Sequence, residues 1–220
     1  MLAGLLAGLF AFVTGEPLLD QAIGLEHSAH THGGEEVFSR ATQKAGLFFA
    51  TGFTGVFVGG LFGLAFAYFR GRLALKSDWT RSLSLAAAIF AGAALIPFIK
   101  YPANPPTVGD PATIGARTSA YFAMVGLSLL AVLAAWYASR LLRRRGVSTP
   151  MRHVTVGLGL ATVVAALFLI LPATADPGHF PAGLLWSFRL SSLGTQLVLW
   201  TGLGVLFGAL CERAGRRGAL

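Results

Sequence analysis

Glu26, His27, His30, His32, Glu35 and Glu36 fall within eleven positions and form the densest group of potential ligands in the chain. Neutral imidazole with carboxylate is the donor set that borderline divalent ions such as Co2+, Ni2+ and Zn2+ accept. His27 and His30 would share one face if their segment is helical. Gly33 and Gly34 then release the chain, so the segment reads as a device that raises local ion concentration rather than a fixed cage. The competing reading is a solvated polar loop whose histidines bind nothing. Asp176 and His179 repeat the same pairing of acid and imidazole further along.

A second set of residues reads as an electrostatic network. Arg117 and Arg189 each close a polar connection at the start of an apolar run. A cation is disfavoured at a helix N-terminus, and a guanidinium keeps its proton in proteins. Each should therefore have a carboxylate partner: Asp110 for Arg117, and Glu16, Asp20 or Asp176 for Arg189. A third group, Ser191, Ser192, Thr195 and Gln196, makes a polar stripe in an otherwise apolar run. Such stripes often mark a path through a membrane, but hydroxyls also bond to their own helix, and packing is the favoured reading.

The elements that carry these residues are membrane helices. Of 220 residues 55% are hydrophobic and 12% charged, against roughly 25% charged in soluble proteins. That composition excludes a soluble enzyme, a disordered regulator and a disulfide scaffold. The single cysteine, Cys211, has no internal partner for a disulfide. A crossing helix needs about 20 apolar residues. Charge-free runs predict spans at about 2–15, 45–69, 82–99, 118–139, 154–171 and 190–210, the first being short. The expectation is an all-α integral membrane protein forming a single multi-pass domain over 1–220, with six transmembrane helices as three hairpins.

Charge sorts these connections into two sides. Twelve of the seventeen Lys/Arg residues fall after spans two and four and in the tail: Arg70, Arg72, Lys76, Arg81, Arg140, Arg143, Arg144, Arg145, Arg152, Arg213, Arg216 and Arg217. The other side has Arg40, Lys44, Lys100, Arg117 and Arg189, together with seven of the nine acids. The positive-inside rule makes the basic side cytoplasmic, and with it both termini. The net charge of +8 is thus a topology signal and a contact to membrane lipid, not a nucleic-acid surface. The stretch KYPANPPTVGDP at 100–111 holds four prolines, which preclude helix and imply a path facing water or protein. Gly55, Gly59 and Gly63, and likewise Gly204 and Gly208, recur at four-residue spacing. They predict close-packing ridges for other spans or for a partner. No GxxxxGK[ST], HExxH or GxSxG motif is present, so neither nucleotide-driven transport by this chain alone nor an enzyme is the expected reading.

Several segments together resemble the predicted cobalt-transporter subunit family CbtA. They are Gly15-Glu16-Pro17 with Asp20-Gln21-Ala22-Ile23, Glu26 before the histidine loop, KYPANPPTVGDP with Thr113-Ile114-Gly115 and Arg117-Thr118, Phe180-Pro181-Ala182 with Leu185-Trp186 and Phe188-Arg189-Leu190, and Ser192-Leu193-Gly194-Thr195-Gln196. The resemblance implies a multi-pass subunit of the bacterial inner membrane. It would take up Co2+ for cobalamin biosynthesis with a small single-span, His-bearing partner subunit. The ion would be substrate rather than tightly bound cofactor, with Ni2+ as the alternative. Few polar groups line the spans, so a homo-oligomer or the partner would supply ligands within the membrane. The rival expectation is a structural or assembly subunit with no metal path of its own.

Overall fold

The computed structural model describes residues 1–29, 38–106, 108–173, 178 and 180–217, with the side chains of 26–29 excepted. All regular structure among these residues is helical: α1 (Leu2–Thr14), α2 (Glu16–Ala29), α3 (Arg40–Arg70), α4 (Asp78–Phe90), a π-helical turn (Ala91–Leu95), α5 (Ile96–Lys100), a 3-10 turn (Pro111–Thr113), α6 (Ile114–Arg144), α7 (Thr149–Ile170) and α8 (Ala182–Arg217). Five helical segments are long and apolar enough to cross a membrane: Arg40–Arg70, Asp78–Lys100, Pro111–Arg144, Thr149–Ile170 and Ala182–Arg217. A sixth exists if α1 and Glu16–Leu25, bent by 46°, form one broken span. The chain is an all-α integral membrane protein.

The break after α1 has a local cause. Pro17 has no N–H to offer the carbonyl of Val13, so the α1 ladder cannot continue through it. The amides of Leu18 and Leu19 turn to Gly15 O instead, at 3.1 and 2.9 Å. Pro17 is tolerated in the first turn of the next helix, where amides lack intrahelical partners anyway. Residues 16–29, expected as a connection, are therefore helix. α8 likewise starts earlier than a charge-free run suggests. It opens at Ala182 behind Pro181, whose carbonyl accepts from Leu185 N at 3.0 Å. Arg189 thus lies two turns inside the helix rather than at its start.

The helices group into two compact units: Met1–Ala87 with Ala103–Thr107 and His179–Leu220, and Ala88–Pro102 with Val108–Gly178. In the first unit, the small face of α1 is buried. Ala3 and Ala7 join Leu199 and Leu203 of α8 in one cluster, flanked by Val58, Val198, Trp200 and Leu206. A Cβ added to Gly4 would lie 2.7 Å from the Cα of Gly55, so the backbones of α1 and α3 touch there. The Gly55–Gly59–Gly63 ridge is occupied along its length, by Gly4, Leu203 and Phe207 respectively. Gly204 and Gly208 receive Ala86 and Trp79 of α4, and Ser82 Oγ donates to Gly204 O at 2.8 Å while fully buried. Both ridges are thus used within this chain.

In the second unit, α6 packs against α7 and against the π-turn. The π-turn follows from Pro97. Ile96 N donates to Ala91 O, five residues back, and the next such bond would need an N–H from Pro97, which has none. Gly92 O is left over, and Ser128 Oγ of α6 donates to it at 2.5 Å. Gly92 itself permits this approach, since a Cβ there would meet Leu129 Cδ2 at 3.0 Å.

Candidate functional site

The polar break after α1 gathers several of the residues singled out by type. Arg40, in the first turn of α3, donates through Nη2 to Glu16 Oε2 at 2.7 Å and to Asp20 Oδ1 at 2.6 Å. Its Nη1 donates to Gln43 Oε1 at 2.6 Å, and Lys44 Nζ donates to Asp20 Oδ2 at 2.8 Å. Glu16 and Asp20 are one turn apart on α2, and Arg40 and Lys44 are one turn apart on α3. The pairing is therefore a face-to-face match of two helical stripes. Ser39 starts α3 as its N-cap, accepting from Thr42 N at 3.3 Å. Beside the break, Thr14 Oγ1 and Ser191 Oγ share a hydrogen bond of 2.7 Å. The polar stripe of α8 continues with Thr195 Oγ1 donating to Ser191 O at 2.9 Å and Gln196 Oε1 accepting from Trp200 Nε1 at 3.2 Å.

The proline-rich connection is stapled by its own polar residues. Lys100 Nζ donates to Phe168 O at 2.8 Å, in the last turn of α7, where a cation complements the helix dipole. Tyr101 Oη donates to Pro172 O at 2.6 Å. Burial pushes its phenol above the ordinary range, which keeps it a proton donor. Asp110 caps the 3-10 turn by accepting from Ala112 N at 2.8 Å, and Gly109 takes a positive φ of 92° to reach that turn.

Among the described residues the expected arginine–carboxylate pairs of this network are corrected by the structure, while Asp176, an expected partner of Arg189, lies outside those residues. Arg117 Nη1 and Nη2 donate to the main-chain carbonyls of Val108 and Asp110, at 3.2 and 3.3 Å, and not to the Asp110 carboxylate. Arg189 Nη2 donates to Asn104 Oδ1 at 2.8 Å. Glu16 and Asp20 are engaged by Arg40 and Lys44 instead. The physical reason is supply. A short proline-rich loop has carbonyls that no helix claims, and it offers Arg117 two of them and Arg189 the carboxamide of Asn104. Asn104 and Tyr101 carry contacts of this connection without having been singled out individually, although the stretch that holds them was.

Of the expected metal ligands, Glu26 and His27 lie in the last turns of α2, with their side chains outside the description. His30, His32, Glu35, Glu36, Asp176 and His179 lie outside the described residues. Among the described residues no group of three or more His, Cys, Asp or Glu side chains could hold a metal ion. No curated protein and no solved structure matches the chain. A family model, that of the probable cobalt transporter subunit CbtA, matches residues 1–212. With an all-helical membrane fold carrying that match over nearly its whole length, the chain belongs to the CbtA family of probable cobalt transporter subunits.

Proposed function

We propose that this chain is the multi-pass subunit of a Co2+ uptake system in the bacterial inner membrane, with both termini cytoplasmic. It works beside a small single-span, His-bearing subunit, and Ni2+ is the alternative cargo. The observation that carries this reading is the family match over 1–212. Ion pairing sharpens it. Glu16 and Asp20 are already neutralised by Arg40 and Lys44, and Asp110 is committed to a helix cap. On this reading, the groups left to meet an arriving cation are Glu26, His27, His30, His32, Glu35 and Glu36, with Asp176 and His179.

The ions are gathered there and not held, and ligands deeper in the membrane come from the partner or from a second copy of the chain. A dehydrated divalent ion is prohibitively costly in hydrocarbon without them. The rival role as an assembly subunit draws on the glycine ridges as docking faces. It loses support because Gly55, Gly59, Gly63, Gly204 and Gly208 all meet neighbours in their own chain.

Radiocobalt uptake by cells expressing the chain with and without the partner tests the proposal. Replacing His27, His30 and His32 with Ala should raise the half-saturating Co2+ concentration severalfold and leave the maximal rate near that of the parent. Loss of uptake at every concentration would make the histidines an obligatory site. No change at any concentration would leave the segment a spacer.

A further inference from the structure

A cleft beside the start of α4 and the end of α8 lies apart from the candidate site. Gly208 creates one wall: a Cβ there would stand 3.2 Å from Trp79 Cα and 3.3 Å from Trp79 Cε3, so the indole lies directly on the α8 backbone. The open space alongside has a volume of about 480 Å³ and is lined by Trp79, Ala209, Glu212, Arg213 and Arg216. The four α8 residues recur at the three- and four-residue spacing of one helix face.

The charge of this cleft is not spent internally. Asp78, next to Trp79, is taken by Arg70 and Arg81, at 2.5 and 2.8 Å. Among the described residues, none of the ion pairs engages Glu212, Arg213 or Arg216. Two guanidiniums against one carboxylate leave a single positive excess. Trp79 marks the depth, because indole rings favour the level of the lipid headgroups, and α4 begins there. A guanidinium fork matches phosphate oxygens two at a time.

We infer that this cleft binds the phosphate of an anionic phospholipid with one net negative charge, of the phosphatidylglycerol class, with the lipid's glycerol end against Trp79. The arginines here then have a ligand as well as a role in setting topology.

Trp79 provides a local readout. In the full-length chain with Trp136, Trp186 and Trp200 each replaced by Phe, Trp79 is the one remaining tryptophan. The protein is reconstituted in phosphatidylcholine vesicles, and acyl-brominated phosphatidylglycerol or acyl-brominated phosphatidylcholine is titrated in as a short-range quencher. Half-quenching should need a roughly five- to tenfold lower mole fraction of the anionic lipid. Arg213→Gln with Arg216→Gln should abolish that difference, whereas Arg144→Gln with Arg145→Gln should leave it intact. Glu212→Gln should enlarge it by removing a repulsion, a gain that misfolding cannot imitate. Equal quenching by the two lipids would overturn the proposal. So would an equal loss in the Arg144/Arg145 variant, which would mean a general surface field. Reversal by excess inorganic phosphate would show a free-anion site and would also overturn it.

Discussion

Three arginines at the acid-bearing connections meet the same requirement with different acceptors. Arg40 uses two carboxylates, Arg117 two main-chain carbonyls, and Arg189 one carboxamide. The difference predicts different sensitivities. Asp110→Asn should accumulate and function like the parent, because the carbonyl that holds Arg117 is unchanged and Asn caps a turn about as well as Asp. Arg117→Leu should lose about 1–3 kcal/mol of stability by stripping two carbonyls of their donor. Thermal unfolding in detergent measures both, and equal losses in the two variants would show that the carboxylate matters after all. Ser128→Ala makes a similar test inside the membrane. It leaves Gly92 O, already without an amide because of Pro97, with no donor, and should cost about 1 kcal/mol. That Arg117 and Arg189 needed partners was legible from residue type and position alone. The identity of the partners was not: the carbonyls that hold Arg117 are invisible in side-chain chemistry, and Asn104 comes within reach of Arg189, 85 positions away, only once the loop has a path.

At the level of elements, close approach decides which helices become neighbours. α1 is 13 residues long, roughly 20 Å at 1.5 Å per residue, which is too short to cross the ~30 Å hydrocarbon core alone. Its anchorage comes from its small residues: Ala3, Gly4, Ala7 and Gly8 are its buried set. Gly4→Ala would drive a methyl into the backbone of Gly55, 2.7 Å away, and backbone cannot swing aside as a side chain can. A loss of about 1–3 kcal/mol is expected. Gly60→Ala, with nothing within 4 Å of its Cβ, should be neutral or slightly stabilising through helix propensity. Equal effects of the two in a thermal unfolding assay would mean that α1 and α3 are not in backbone contact. The glycine spacing in α3 made a packing ridge legible in the sequence. Nothing in a periodic pattern says which surface fills the ridge, and here α1 and α8 fill it from within the chain. The five longer spans were legible because charge-free runs report the solvent directly. Helix ends were less so, because a helix runs on past the first charge where its polar side chains find acceptors, as Arg40 and Arg189 do.

Across the whole molecule the unequal distribution of basic residues is what predicts the proposed orientation. On the acid-bearing side, the five basic residues are each held locally. Arg40 and Lys44 are paired with carboxylates, Lys100 sits on a helix C-terminal carbonyl, and Arg117 and Arg189 rest on neutral acceptors. A basic residue already bound within the protein offers less to the anionic leaflet that attracts free ones. On the other side, Arg143, Arg144, Arg145, Arg213, Arg216 and Arg217 are exposed. Arg70 and Arg81 on that side are paired with Asp78, so six exposed arginines stand against no unengaged cation opposite, and the proposed orientation keeps its asymmetry after local pairing is taken out. A reporter fused after Arg217, or inserted between α3 and α4 at Ser77, should be active only as a cytoplasmic reporter. One inserted at Gly109, where the positive φ marks a turn in the proline-rich connection, should be active only outside. A cytoplasmic signal at Gly109 would invert the orientation. It would put Glu26 to Glu36, Asp176 and His179 on the side from which no incoming ion arrives, and the capture mechanism would fall with it even if the chain still carried metal.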